Sequence, residues 1–388
     1  MANKRILVVD DSCLYQRLLS DVINSREGLE VVGVASNGQI ALSMMEKTQP
    51  DLVTLDILMP EMDGIQTLIQ LRKNWPSVKT IMVSSLSSEG SDAALDALAL
   101  GASEYAAKPG SGKGISNIRL DLGNDLLPKI EALCGLDTQR LLQKNNTDSI
   151  ALSEEKNPGV RSVVNKRTMS GAQPLELVAI GISTGGPDAL ATLLSQLPID
   201  IGVPIVIVQH MPAAFTEKLA KRLDTSSSLK VIEAKIGDKL RAGSVYIAPG
   251  DYHMVLERIG AEVFVNLNRD EPENSCRPSV DPLFRSISSI YKDRCLGVIM
   301  TGMGSDGLNG CESLAAVGCP IIVQDELTSV VWGMPKLVAM AGLAQEQVPL
   351  DRMAEVISNI VKGNSIVKNR SATNSDSYKQ TTFSGRRS

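Results

Sequence analysis

Short runs of β-branched and apolar residues recur along this chain, and most of them stop on an acid, a hydroxyl, a histidine or a glycine. RILVVD, LEVVGVAS, DLVTLDI, KTIMVSS and SEYAAK occupy the first third. Amphipathic stretches such as CLYQRLLSDVIN and GQIALSMMEK separate them. Runs this short and this apolar suit strands buried on both faces, and parallel strands need a crossover between them, usually a helix. The alternation predicts an α/β domain with a doubly wound parallel sheet, a (βα)5 unit over residues 1–133. Such sheets bind ligands beyond the carboxyl ends of their strands, which is where these runs place their polar residues.

A second α/β block begins at LELVAIGIS and runs through PIVIVQH, VYIAPG, VFVNL, CLGVIMTG and CPIIVQD. It predicts another doubly wound, Rossmann-like domain over residues 174–363. Between the blocks, residues 134–173 are polar, carry Gly and Pro and lack periodicity, as a linker does. Residues 364–388 are rich in Ser, Thr, Asn and Arg and are expected to form a disordered tail.

Composition narrows the function classes. A formal net charge of −5 argues against a general nucleic-acid binder, and the second block shows no helix-turn-helix pattern for a DNA-binding output. The six cysteines are scattered without a CxxC pair, which reads as reduced thiols. No stretch approaches the ~20 apolar residues of a membrane span. The apolar run 6–9 is too short for a secretory signal and meets two aspartates at once. A cytoplasmic protein without direct membrane insertion is expected.

Asp10 and Asp11 follow the first strand and Asp56 ends the third. Adjacent parallel strands would bring these carboxylates together, an unfavourable cluster unless a cation offsets it. Hard oxygen ligands suit Mg²⁺. Ser84 and Lys108, after the fourth and fifth strands, could hold a phosphoryl group, with Asp56 as the nucleophile that forms an aspartyl phosphate. The segments VVDDS, DILMPEMDG, MVSS and YAAKP resemble those of response-regulator receiver domains. That resemblance implies that Asp56 is the phosphoacceptor, that Asp10, Asp11 and Asp56 ligate Mg²⁺, and that a histidine kinase is the phosphodonor. Ser84 replaces the family's commoner Thr, and Tyr105 stands where the family carries its switch aromatic.

In the second block, Gly181, Ser183 and Gly185 fit G-x-S-x-G between a strand and a helix. The motif places a serine on a tight turn that admits only small neighbours, and the helix N-terminus behind it favours a developing oxyanion. A phosphate-binding glycine loop or a purely structural turn would also fit the five residues. A serine esterase needs a base, and the chain has two histidines, His210 and His253. His210 ends an apolar strand and is favoured by position. His253, in APGDYHM, stays open. Asp306, in the glycine-rich loop after CLGVIMTG, is the best orienting acid.

The segments AIGISTGGP, VQHMPAAFT, YIAPGDYHM, RPSVDPLF, GVIMTGMGSDG and VWGMP are similar to the catalytic domain of the chemotaxis protein-glutamate methylesterase family. This resemblance implies Ser183 as nucleophile, His210 as base, Asp306 as orienting acid and the backbone N–H of Met303 in the oxyanion hole. It also implies methyl-accepting chemoreceptors as substrate, a chemotaxis histidine kinase as phosphodonor, and no cofactor for ester hydrolysis. A receiver-controlled adaptor, or an esterase or amidase acting on another acyl substrate, are the competing readings.

Overall fold

The computed structural model describes residues 2–85, 88–109, 114–136 and 174–363, without the side chains of Ser88 and Glu89. Residues 137–173, most of the expected linker, and the expected tail at 364–388 lie outside the described residues.

The N-terminal half is a five-stranded parallel sheet of order β2-β1-β3-β4-β5. The strands are Lys4–Val9, Leu29–Ala35, Leu52–Asp56, Lys79–Ser85 and Glu104–Lys108. Each is followed by a helix: α1 Cys13–Asn24, α2 Gly38–Thr48, α3 Gly64–Asn74, α4 Ser88–Ala99 and α5 Ile115–Leu133. Local chemistry fixes several starts. Asn37 and Asp63 cap α2 and α3, their side chains accepting from Ile40 N–H and Gln66 N–H. Such caps are worth about 1 kcal/mol each. Gly64 follows because a Cβ there would stand 2.1 Å from the Asp56 carbonyl oxygen.

The C-terminal half is a seven-stranded parallel sheet of order β14-β13-β12-β6-β7-β9-β8. Its strands are β6 Leu177–Ile182, β7 Ile205–Gln209, β8 Lys230–Glu233, β9 Ser244–Ile247, β12 Cys295–Ile299, β13 Ile321–Gln324 and β14 Glu346–Val348. Helices α6 Gly186–Gln196, α7 Ala213–Ser226, α8 Val280–Tyr291, α9 Leu308–Ala316, α10 Met334–Met340 and α11 Leu350–Val361 complete the crossovers. β6, β7 and β12 are buried throughout, as their unbroken apolar runs require. VFVNL does not join this sheet. It forms β11 (Glu262–Asn268), antiparallel to β10 (His253–Ile259) in a separate two-stranded ribbon.

The two halves pack together. Helices α4 and α7 face one another, with Lys218 Nζ 2.7 Å from Asp92 and Arg222 3.0 Å from Asp96. These pairs are largely solvated and each contributes at most about 1 kcal/mol. The apolar contact beneath them weighs more. The Tyr105 ring on β5 lies 4.5 Å from the Phe215 ring on α7, and both side chains are buried. The adjacent Glu104, also buried, takes a hydrogen bond from Thr184. Val331 and, at its edge, Met303 join the cluster that contains Ile118 and Leu122 of α5.

Candidate active site and phosphoryl site

The order β2-β1-β3 sets the carboxyl ends of β1 and β3 side by side, with Val9 in register with Leu55. Asp10, Asp11 and Asp56 therefore present carboxylate oxygens within 4.8 Å of one another. Lys108 reaches in from β5, its Nζ 2.7 Å from Asp10 Oδ2 and 2.7 Å from Asp56 Oδ2. Burial pushes the Asp56 carboxyl above its ordinary range, opposed by the neighbouring ammonium. Burial acts to lower the Lys108 pKa, but Asp56 and Asp10 outweigh it and hold the ammonium above its ordinary range. The donor set, three clustered carboxylates of which Asp11 is exposed, fits a hard divalent cation that keeps several waters. Ser84, at the end of β4, is buried beside this cluster's strands, with its hydroxyl 3.3 Å from the Gly90 carbonyl oxygen. Tyr15 was not anticipated: its ring lies under Lys108 Nζ at 4.8 Å and its hydroxyl donates to the Pro109 carbonyl. Tyr105 is not drawn into this cluster. Its ring contacts are Phe215 and, at 4.9 Å, Lys129 Nζ.

In the second half, β6 lies between β12 and β7, so the loops after these three strands meet. Ser183 and His210 each stand one residue beyond the register pair Ile182 and Gln209. Gly181 is required because a Cβ would stand 2.7 Å from Val280. Gly185 caps α6 at φ 75, a left-handed conformation that glycine adopts without strain. The chain thus turns sharply at Ser183, which is buried to within 8% of its surface. Gln209 Nε2 and Gly186 N–H donate to the Ser183 carbonyl and fix the turn.

His210 Nε2 donates to Asp306 Oδ2 at 2.7 Å. Its other nitrogen, Nδ1, faces Cys276 Sγ at 3.6 Å. Among the described residues, Ser183 Oγ has no hydrogen bond, and Nδ1 is the imidazole nitrogen not bonded to Asp306. Asp306 is seated at the start of α8. Its Oδ1 accepts from Ser279 Oγ at 2.7 Å, Gly307 N–H at 2.9 Å and Asp281 N–H at 3.2 Å, and its Oδ2 from Val280 N–H at 2.7 Å. Burial opposes its charge, but the hydrogen bond and positive field of His210 and these donors hold the carboxyl below its ordinary range. Burial likewise opposes a charged His210, yet Asp306 and then Cys276 raise the imidazole well above the ordinary histidine range. The N–H of Met303 donates to no acceptor among the described residues.

His253 is elsewhere engaged. It is 1% exposed, its Nδ1 accepts from Ser279 N–H and its Nε2 donates to the Glu271 carbonyl. Both nitrogens are spent on closing the loop between those residues. Asn274 and Cys276, which lie in that loop, were not singled out from the sequence. Asn274 donates to Asp306 Oδ1 at 3.0 Å.

Residues 178–357 match the family described as CheB methylesterase, and residues 6–118 the response regulator receiver domain. A protein-glutamate methylesterase/protein-glutamine glutaminase of Trichodesmium erythraeum is 44% identical over 361 residues, covering 92% of this chain and 99% of that one. Its namesake in Desulfotalea psychrophila is 42% identical over 93% of this chain and 100% of its own. The Thermotoga maritima CheB methylesterase catalytic domain is 42% identical, with a TM-score of 0.48 over 48% of this chain and 99% of that structure. Among the described residues, no helix is long and apolar enough to cross a membrane.

Proposed function

We propose, for a chain that belongs to the CheB methylesterase family, that Ser183, His210 and Asp306 hydrolyse γ-glutamyl methyl esters on chemoreceptors under control of a phosphorylatable receiver. The observation that carries this reading is the 2.7 Å pairing of His210 with Asp306 at the strand ends beside the Ser183 turn. With Nε2 committed to Asp306, Nδ1 takes the proton as Ser183 Oγ attacks the ester carbonyl carbon. The oxyanion that forms is met by the Met303 N–H and the field of the α6 N-terminus. The carbon–methoxy bond breaks, His210 returns the proton, and methanol leaves. Water, deprotonated by His210, then opens the acyl-serine and a glutamate carboxylate remains. A glutamine side chain follows the same course with ammonia as leaving group. The Ser183–His210 hydrogen bond forms as substrate enters, since such bonds tighten in the reacting complex.

We read residues 1–133 as the regulatory unit, 134–173 as a linker, 174–363 as the catalytic unit and 364–388 as a tail. Asp56 accepts the phosphoryl group from a chemotaxis histidine kinase, with Asp10, Asp11 and Asp56 holding Mg²⁺, and Ser84 and Lys108 contacting the phosphoryl oxygens. When bound, the cation neutralises charge on the transferring phosphoryl group. Without phosphate, Tyr105 against Phe215 and Glu104 on Thr184 hold the receiver against the catalytic turn. Phosphorylation shifts the population towards an open arrangement, by as much as the phosphoryl group favours it. The test is methanol release from methylated receptor membranes by wild type, Ser183→Ala and Asp56→Ala, with and without a small phosphodonor and Mg²⁺. Release raised by the phosphodonor, abolished in Ser183→Ala and unstimulated in Asp56→Ala, is expected. A folded, phosphorylatable wild type that releases none sinks the reading.

A further inference from the structure

Two carboxylates lie buried together behind the imidazole. Asp306 is 2% exposed and Asp281 is 0% exposed. Asp306 has His210 as its counter-ion, whereas the bonds to Asp281 come from amides: Gly310 N–H at 2.7 Å, Asn309 Nδ2 at 3.4 Å and Asn274 Nδ2 at 2.9 Å. Neighbouring buried carboxylates repel unless donors stand between them. One side chain does so. Asn274 Nδ2 donates to Asp281 Oδ2 at 2.9 Å and to Asp306 Oδ1 at 3.0 Å, which uses both of its hydrogens. Among the described residues no other side chain bonds both acids.

The backbone demands the same residue type. Asn274 has φ 52 and Ser275 φ 61, two successive left-handed residues. Asparagine tolerates this region better than most residues with a side chain. A glycine would suit the turn but lacks the amide, and an aspartate would suit it but brings a third carboxylate.

We infer that Asn274 is a positioning residue for the esterase triad: it ties Asp306 Oδ1 to Asp281, so that Oδ2 stays aimed at His210 Nε2. The inference rests on the triad reading given above. The titratable groups facing His210 are Asp306 and Cys276, and those acting on Asp306 also include Asp281, Cys311 and Arg285, the last held by Glu273.

The experiment compares full-length wild type, Asn274→Gly and Asn274→Asp. Methanol release gives kcat and KM, and ¹⁵N-labelled imidazole spectra follow His210, one of only two histidines. A lost hydrogen bond to a charged partner is worth about 1.5 kcal/mol, so kcat should fall roughly tenfold in both variants, with KM within about twofold. The His210 midpoint should rise in Asn274→Asp, where added negative charge favours the imidazolium. It should fall in Asn274→Gly, where Oδ1 loses one of its four donors and Oδ2 is held less firmly towards Nε2. A kcat in Asn274→Gly within about twofold of wild type, or a midpoint that moves in neither variant, overturns the assignment. If wild type released no methanol, the esterase reading would fail, and the imidazole midpoints would still decide the role of Asn274.

Discussion

Replacing Asp306 by Asn changes one atom, and the surrounding donors dictate where it goes. Oδ1 receives four donors, from Ser279, Asn274, Gly307 and Asp281, whereas Oδ2 receives two, from Val280 and His210. The new amide therefore keeps its oxygen at the crowded side and places its NH₂ where Oδ2 was. There it opposes the Val280 N–H, leaving a buried main-chain donor without a partner at a cost of about 1–3 kcal/mol in stability. It also faces Nε2, which must now accept. The imidazole proton moves to Nδ1, the nitrogen that Ser183 needs as an acceptor. A wrong tautomer of this kind costs about 10⁴-fold in serine proteases. A loss in kcat of about 10³–10⁴-fold is expected here, or about 4–5.5 kcal/mol of barrier. Methanol release under phosphodonor measures it, with imidazole ¹⁵N shifts reporting the tautomer. Activity within about tenfold of wild type, or an unchanged tautomer, would refute the reasoning.

Four further outcomes follow from the geometry. His210 must be neutral to act as a base and its pKa is raised, so kcat/KM should fall as pH drops through a midpoint above the ordinary histidine value of about 6.5. While Asp306 stays ionised, the same pair should stabilise the fold fully below that ordinary value and lose its contribution as pH rises towards about 10, which thermal unfolding of wild type against Asp306→Asn would show. Phe215→Ala removes a side chain that is 1% exposed and stacked on Tyr105. It should destabilise the protein by about 3–5 kcal/mol, raise basal methanol release and shrink the phosphodonor response; an unchanged response ratio would count against the closed-receiver reading. In Gly302→Ala, the new Cβ would stand 2.7 Å from Ser183 Cβ and 2.6 Å from Met334 Sδ. Overpacking of about 1–3 kcal/mol and at least a hundredfold loss of activity are expected in unfolding and turnover assays.

The strand ends were legible in the sequence because apolar runs that stop on Asp10, Asp56, Ser183 or His210 encode depth and direction together. Lys108 could be placed with the acids for the same reason. VFVNL was legible as a strand but not as half of a ribbon, because a short apolar run does not state which sheet it joins. His210 and His253 both adjoin strands, so sequence position alone does not separate them; the two satisfied nitrogens of His253 do. Asn274 and Cys276 sit in a loop without periodicity, where proximity is set by a fold-level meeting of distant segments. Tyr105 stands where the resemblance puts a switch aromatic, but its ring contacts depend on Phe215, a partner that sequence spacing does not reveal.

The shortest strand path between the two chemistries is β5. It spans Glu104–Lys108, five residues, about 13 Å from first Cα to last. Lys108 grips the acids at one end, while Glu104 holds Thr184, the neighbour of Ser183, at the other. A single rigid rod can therefore carry a pull from one end to the other without a chain of intermediaries. Its side chains alternate between faces, so one inserted residue would turn Glu104 and Tyr105 to the wrong sides relative to Lys108. The length of this strand is then a matter of parity as much as of reach.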